Sequence, residues 1–133
     1  MAAPKRIIYR DIDLRFKPHP VTGDIPALTN EAAVKQVVRN SVLTNHNERF
    51  MDHLFGGNIR ANLFDNVSPI SMTIAREDIR RSVSPMIAEA ELRDVILAAP
   101  ENMDRNTVQA KLIFSVRRLQ TLVQVDVFLG RVR

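Results

Sequence analysis

Two stretches near the carboxyl end, "VQAKLIFSVR" (Val108 to Arg117) and "TLVQVDVFL" (Thr121 to Leu129), alternate apolar and polar residues almost without a break. Successive side chains on a strand point to opposite faces, so Val108, Ala110, Leu112, Phe114 and Val116 share one face, as do Val123, Val125, Val127 and Leu129. Only "RLQ" separates the runs, which predicts an antiparallel hairpin. "LRDVILAA" reads as a third strand, joined through the turn-like "PENMDRN". A sheet with one apolar face must be covered. The upstream chain therefore has to supply helices that lie on it.

Two segments answer that need. "TNEAAVKQVVRNSVLTN" offers Asn30 as an N-cap and Glu31 in the first turn, with Val34, Val37, Val38 and Val42 at helical spacing. Glu31, Lys35 and Arg39 lie four apart on its wet side. "SPISMTIAREDIRRSVSPMI" offers Ser71 or Thr73 as a cap and aligns Ala75, Ile79, Val83 and Met86 or Ile87 along one stripe. Pro85 is expected to end that helix or bend its last turn. Upstream of both, residues 1–28 contain four of the seven prolines around "RIIYRDIDLRF", which predicts an edge strand and an extended arm turning at "TGD". The predicted architecture is α+β: an amino-terminal edge strand and arm, two to three helices, and a carboxyl-terminal antiparallel meander packed on them. One domain is expected over 1–133, divided into an arm at 1–28, a helical part at 30–88 with a connector at 46–66, and strands at 90–130.

The 133 residues are 45% hydrophobic and 26% charged, the balance of a globular domain able to bury roughly two thirds of its unfolded surface. Without cysteine, neither disulfides nor thiolate zinc sites are available. The longest apolar run, Val95 to Ala99, is too short for a bilayer, and no signal-peptide core is seen, so the protein is expected to be intracellular when made. The net charge of +4 arises beyond residue 110, where Lys111, Arg117, Arg118, Arg131 and Arg133 face only Asp126. That surplus suits an acidic protein surface, a phosphate backbone or plain solvation. One tyrosine, no tryptophan and six phenylalanines leave little for base stacking, since Phe114 and Phe128 sit in strands where burial is expected, and no helix-turn-helix or zinc-finger spacing appears.

Chemistry is sparse. Gly56-Gly57 is not followed by Lys-Ser or Lys-Thr, so there is no phosphate loop. His46 and His53, with Glu48 and Asp52, fit no familiar metal spacing, and exposed side chains are the simpler reading. Glu48 and Asp52 are the carboxylates one would nominate for glycoside hydrolysis, yet Glu48 adjoins Arg49, and an ion pair pinning a loop explains the pair more simply. The expectation is no enzyme activity, no cofactor and no metal.

The order "DIDLRFKPHPVTGDI", then "NEAAVKQVVRN", then "NERFMDHLFGGNIRANLFD" resembles the baseplate wedge and sheath-initiator family of contractile phage tails, whose relatives include a type VI secretion baseplate component. The resemblance runs from about Arg10 to Leu129. It implies that Glu48, Arg49, Phe55, Gly56, Arg60, Leu63 and Phe64 anchor a packed connector between helices. Phe50 stands where the family usually has proline. It further implies wedge docking at Ser84, Pro85 and Met86, where the family typically has Glu-Pro-Arg and only the proline matches. The hairpin would pair with strands of the first sheath subunits, with Lys111, Ile113, Ser115, Arg117, Val123, Val125 and Val127 as the pairing residues, by the addition of a strand to an open edge. The implied partners are the tail sheath protein and other wedge proteins, with several copies per baseplate ring, no membrane and no specific nucleic acid. The implied location is the virion tail, after synthesis in the host cytoplasm. A lysozyme label sometimes attached to this family keeps glycan cleavage as the alternative function, ahead of nucleic-acid binding.

Overall fold

The structure, a computed structural model, describes residues 6–57, 59, 68–83, 87–98 and 107–130. Two short strands, β1 (Arg10–Ile12) and β2 (Ala27–Thr29), pair antiparallel with Arg10 opposite Thr29. Among the described residues two long helices follow, α1 (Glu31–Leu43) and α2 (Pro69–Val83). The carboxyl part is a three-stranded antiparallel sheet of β3 (Ala90–Ala98), β4 (Thr107–Val116) and β5 (Thr121–Gly130), in the order β3-β4-β5. The α+β architecture with antiparallel strands is the one expected. No helix among the described residues is long and apolar enough to cross a membrane.

The core is where the two periodicities meet. Every second residue of β4, from Val108 to Val116, is buried, and Val123, Val125, Val127 and Leu129 of β5 are buried beside them. Register explains why: Phe114 faces Val123, Leu112 faces Val125 and Ala110 faces Val127. Helix α1 lies on the β5 side of this face and α2 on the β3 side. They bring Val34, Val38 and Val42, and Ala75, Ile79 and Val83, into one cluster with the strands. Each buried valine or isoleucine among them contributes about 1.5–3 kcal/mol for leaving water, which offsets the entropy of ordering the chain. The opposite face of the sheet has no helix over it among the described residues.

Several local expectations are corrected. Asn30 holds the N-cap position of α1, its carbonyl accepting from the Val34 N–H (3.0 Å), but its side chain makes no capping bond: its φ is 49°, its Oδ1 accepts from the N–H groups of Ile8 (2.8 Å) and Tyr9 (3.3 Å), and its Nδ2 donates to the Arg6 carbonyl (3.0 Å). The side chain ties the amino-terminal arm to the helix start instead. The cap of α2 is Ser68, not Ser71 or Thr73. Ser68 Oγ accepts from the Ser71 N–H (3.1 Å) while Ser71 Oγ accepts from the Ser68 N–H (2.8 Å), a reciprocal box around Pro69. Proline is welcome there because the first helical N–H has no partner to lose. Phe128, grouped by its strand position with the buried aromatics, is 58% exposed, because even-numbered positions of β5 face away from the helices. Pro85 and the "PENMDRN" turn lie outside the described residues.

Candidate functional site

The connector begins where Thr44 closes α1, its N–H bonded to the Asn40 carbonyl (3.0 Å). Glu48 then turns back and grips Asn45 twice, accepting from its backbone N–H (2.8 Å) and its side-chain amide (2.7 Å). The Arg49 guanidinium sits 4.5 Å over the Phe55 ring and 3.7 Å from the Asp52 carboxylate. His46 Nε2 lies 2.9 Å from the Gly56 carbonyl, and the Gly57 N–H reaches back to the Thr44 carbonyl (3.1 Å). Gly56 makes that return possible: its φ is 103°, and a Cβ there would fall 2.8 Å from the Thr44 carbonyl carbon. Just beyond, Ile59 is wholly buried in the core. It fastens the connector, and the sequence reading passed over it because an isolated isoleucine after two glycines has no period to betray it.

Of the residues expected to anchor this connector, Glu48, Arg49, Phe55 and Gly56 come together in it, while Arg60, Leu63 and Phe64 lie outside the described residues. Three apolar side chains of the loop stand in solvent among its exposed polar ones: Phe50, Met51 and Leu54 are 87%, 86% and 79% exposed. Glu48 and Asp52 are both solvent-facing and engaged in these loop contacts. No three His, Asp or Glu side chains among the described residues converge as metal ligands would. Ser84, Pro85 and Met86 also lie outside the described residues, between the buried Val83 and Ile87.

The residues expected to pair with a foreign strand separate into two kinds. Strand β4 is central and bonded on both sides, so Lys111, Ile113 and Ser115 cannot offer main-chain groups to a newcomer. That part of the expectation is corrected: their side chains lie on the outer, helix-free face, with Lys111 directly across from Asp126. Arg117 is in the hairpin turn, its N–H bonded to the Glu89 carbonyl (3.0 Å). Val123, Val125 and Val127, by contrast, belong to β5, which is an edge strand. Among the described residues, its backbone bonds to β4 alone. Beside this edge runs a groove of about 620 Å³, walled by Gln124, Val125 and Asp126 on one side and by α1 and the Asp13–Arg15 segment on the other.

Asp13 is a fixed point of that wall. It is 3% exposed, and Arg15 clasps it with Nε (3.0 Å to Oδ1) and Nη2 (2.7 Å to Oδ2). The Arg15 side chain, helped by the Arg15 backbone N–H, holds the Asp13 carboxyl below its ordinary range.

No protein-family profile and no curated protein matches the sequence. Solved structures do share the fold. A provisionally assigned tail lysozyme from Geobacter sulfurreducens superposes with a TM-score of 0.66 at 16% identity, covering 75% of this chain and 89% of that one. A chain of the anti-feeding prophage baseplate superposes with a TM-score of 0.63 at 19% identity, covering 94% of this chain and 88% of that one. At such identities the likeness is one of architecture, and the architecture is that of a chain found in the baseplate of the anti-feeding prophage.

Proposed function

We propose that this chain is a structural, non-enzymatic component of a contractile-tail baseplate, and that it starts sheath assembly by pairing an edge strand with the first sheath subunits. The observation that carries the reading is β5: ten residues in unbroken register with β4, with no main-chain partner on the other side among the described residues. Such an edge is a template for an incoming strand. Support for the setting comes from the sequence resemblance to the wedge and sheath-initiator family and from the shared fold with an anti-feeding prophage baseplate chain, whose structure is sixfold symmetrised. Several copies per ring, contacts with other wedge proteins, including a docking role for Ser84, Pro85 and Met86, and residence in the virion tail belong to the same proposal.

The test is a variant that blunts the edge and spares the core. Leu122→Lys with Gln124→Lys alters two exposed positions of β5. Tails carrying the variant should have baseplates without sheath; normally sheathed tails from a stably folded variant overturn the proposal.

Glycan cleavage is the second reading, favoured by the name of the Geobacter neighbour. Its nominated carboxylates, Glu48 and Asp52, are solvent-facing, whereas a general acid works from a dry pocket that raises its pKa. Wild type and Glu48→Gln assayed on peptidoglycan should release equal, negligible product. Turnover lost with Glu48 would revive the enzyme.

A further inference from the structure

The three-stranded sheet has two edges, and they are built differently. Strand β3 is interrupted by a register shift between Leu92 and Asp94. The Asp94 carboxylate turns back to accept from the Val95 N–H (2.8 Å) and takes Arg80 of α2 at 3.2 Å. Glu91 and Arg93 pair with one another at 3.3 Å along the same stretch. A bulge, three charges in four residues and a side chain already occupying a main-chain donor are devices that keep strands off an edge. Strand β5 has none of them. Its ten pairs with β4 run without a shift, and Asp126 is its one charged residue.

The space next to β5 is also shaped for an occupant. The groove beside it is roofed by one stripe of α1, Ala32, Lys35, Gln36, Arg39 and Asn40, spaced three to four residues apart. A strand added to β5 extends the sheet beneath this stripe, and every second side chain on it turns toward α1. The carboxylates of the groove are already engaged: Asp13 by Arg15, and Asp126 by the Gln124 amide (3.2 Å), with Lys111 across from it. Lys35 and Arg39 are exposed, and among the described residues neither has an ion-pair partner. Among the described residues, the uncompensated charge lining the groove beside β5 is positive.

We infer that strand addition occurs at β5 and not at β3, and that the sheath segment which adds there carries carboxylate side chains directed at Lys35 and Arg39. This rests on the strand-pairing reading above and assigns its edge and its chemistry. Charge-assisted contacts of this kind set register and partner choice.

Hydrogen exchange on the full chain, alone and mixed with the purified sheath subunit of the same tail, tests both parts. Outward-facing amides of β5 should gain protection while those of β3 do not. Lys35→Glu with Arg39→Glu should weaken binding at least about tenfold, and wild-type binding should weaken as salt rises from about 50 to about 500 mM. Lys35→Gln with Arg39→Gln should fall between the two, and Arg76→Glu on α2 should bind as wild type; circular dichroism verifies that all are folded. Protection of β3 overturns the edge assignment and leaves strand pairing standing. A complex that protects neither strand overturns both this inference and the proposed function. Protection of β5 with full affinity in the charge-reversed variant overturns the acidic partner.

Discussion

At the scale of single residues, the chain spends polar side chains on long-distance stitching. Asn30 holds the arm 21 to 24 residues upstream with three hydrogen bonds, and Asp13 holds Arg15 so that the arm keeps one shape along the groove. Because the Asp13 carboxyl sits below its ordinary value of about 3.9, the stability it lends is fully present above that value and is lost as pH falls through the lowered folded value. Asp13→Asn should therefore be destabilised relative to wild type at neutral pH, with the gap closing below about pH 4; urea titrations across that range check it. Gly56 is the other residue whose identity is dictated by the backbone. Gly56→Ala places a methyl against the Thr44 carbonyl at a left-handed φ and should cost about 2 kcal/mol or more, read from the denaturation midpoint.

Elements were legible where a period governs them. Val34, Val38 and Val42 announce α1, and the alternation from Val108 to Leu129 announces β4 and β5, because burial on one face repeats with the geometry of the backbone. What sequence could not carry was anything set by a distant partner. Asn30 looked like a side-chain cap because its true partners are more than twenty residues away, and the bulge in β3 exists only in relation to the register of β4. Phe128 was misjudged by weighing residue type above the face on which it falls. The candidate site was legible in part: Glu48, Arg49, Phe55 and Gly56 come together, but nothing in the spacing separates central β4 from edge β5. The start of α2 was expected at Ser71 or Thr73, whereas Pro69 is its first helical residue. Ser68→Ala removes one half of the reciprocal cap and should cost about 1 kcal/mol, visible as a lower thermal midpoint and reduced helicity in the first turn.

Across the whole molecule, two helices and three strands share one core, so a deep cut there is felt everywhere. Phe114→Ala, at a position 1% exposed, should lose about 3–5 kcal/mol and lower the unfolding transition of helices and strands together. Phe128→Ala, on the helix-free face, should change stability by less than about 1 kcal/mol in the same experiment. The asymmetry of the two sheet borders then sets what the molecule can build. If β5 takes a strand and β3 does not, as proposed, the molecule would begin a row without continuing one made of its own kind. On that proposal, head-to-tail stacks of identical copies would be disfavoured, and the protein would serve as the foundation course of a polymer whose bricks are something else.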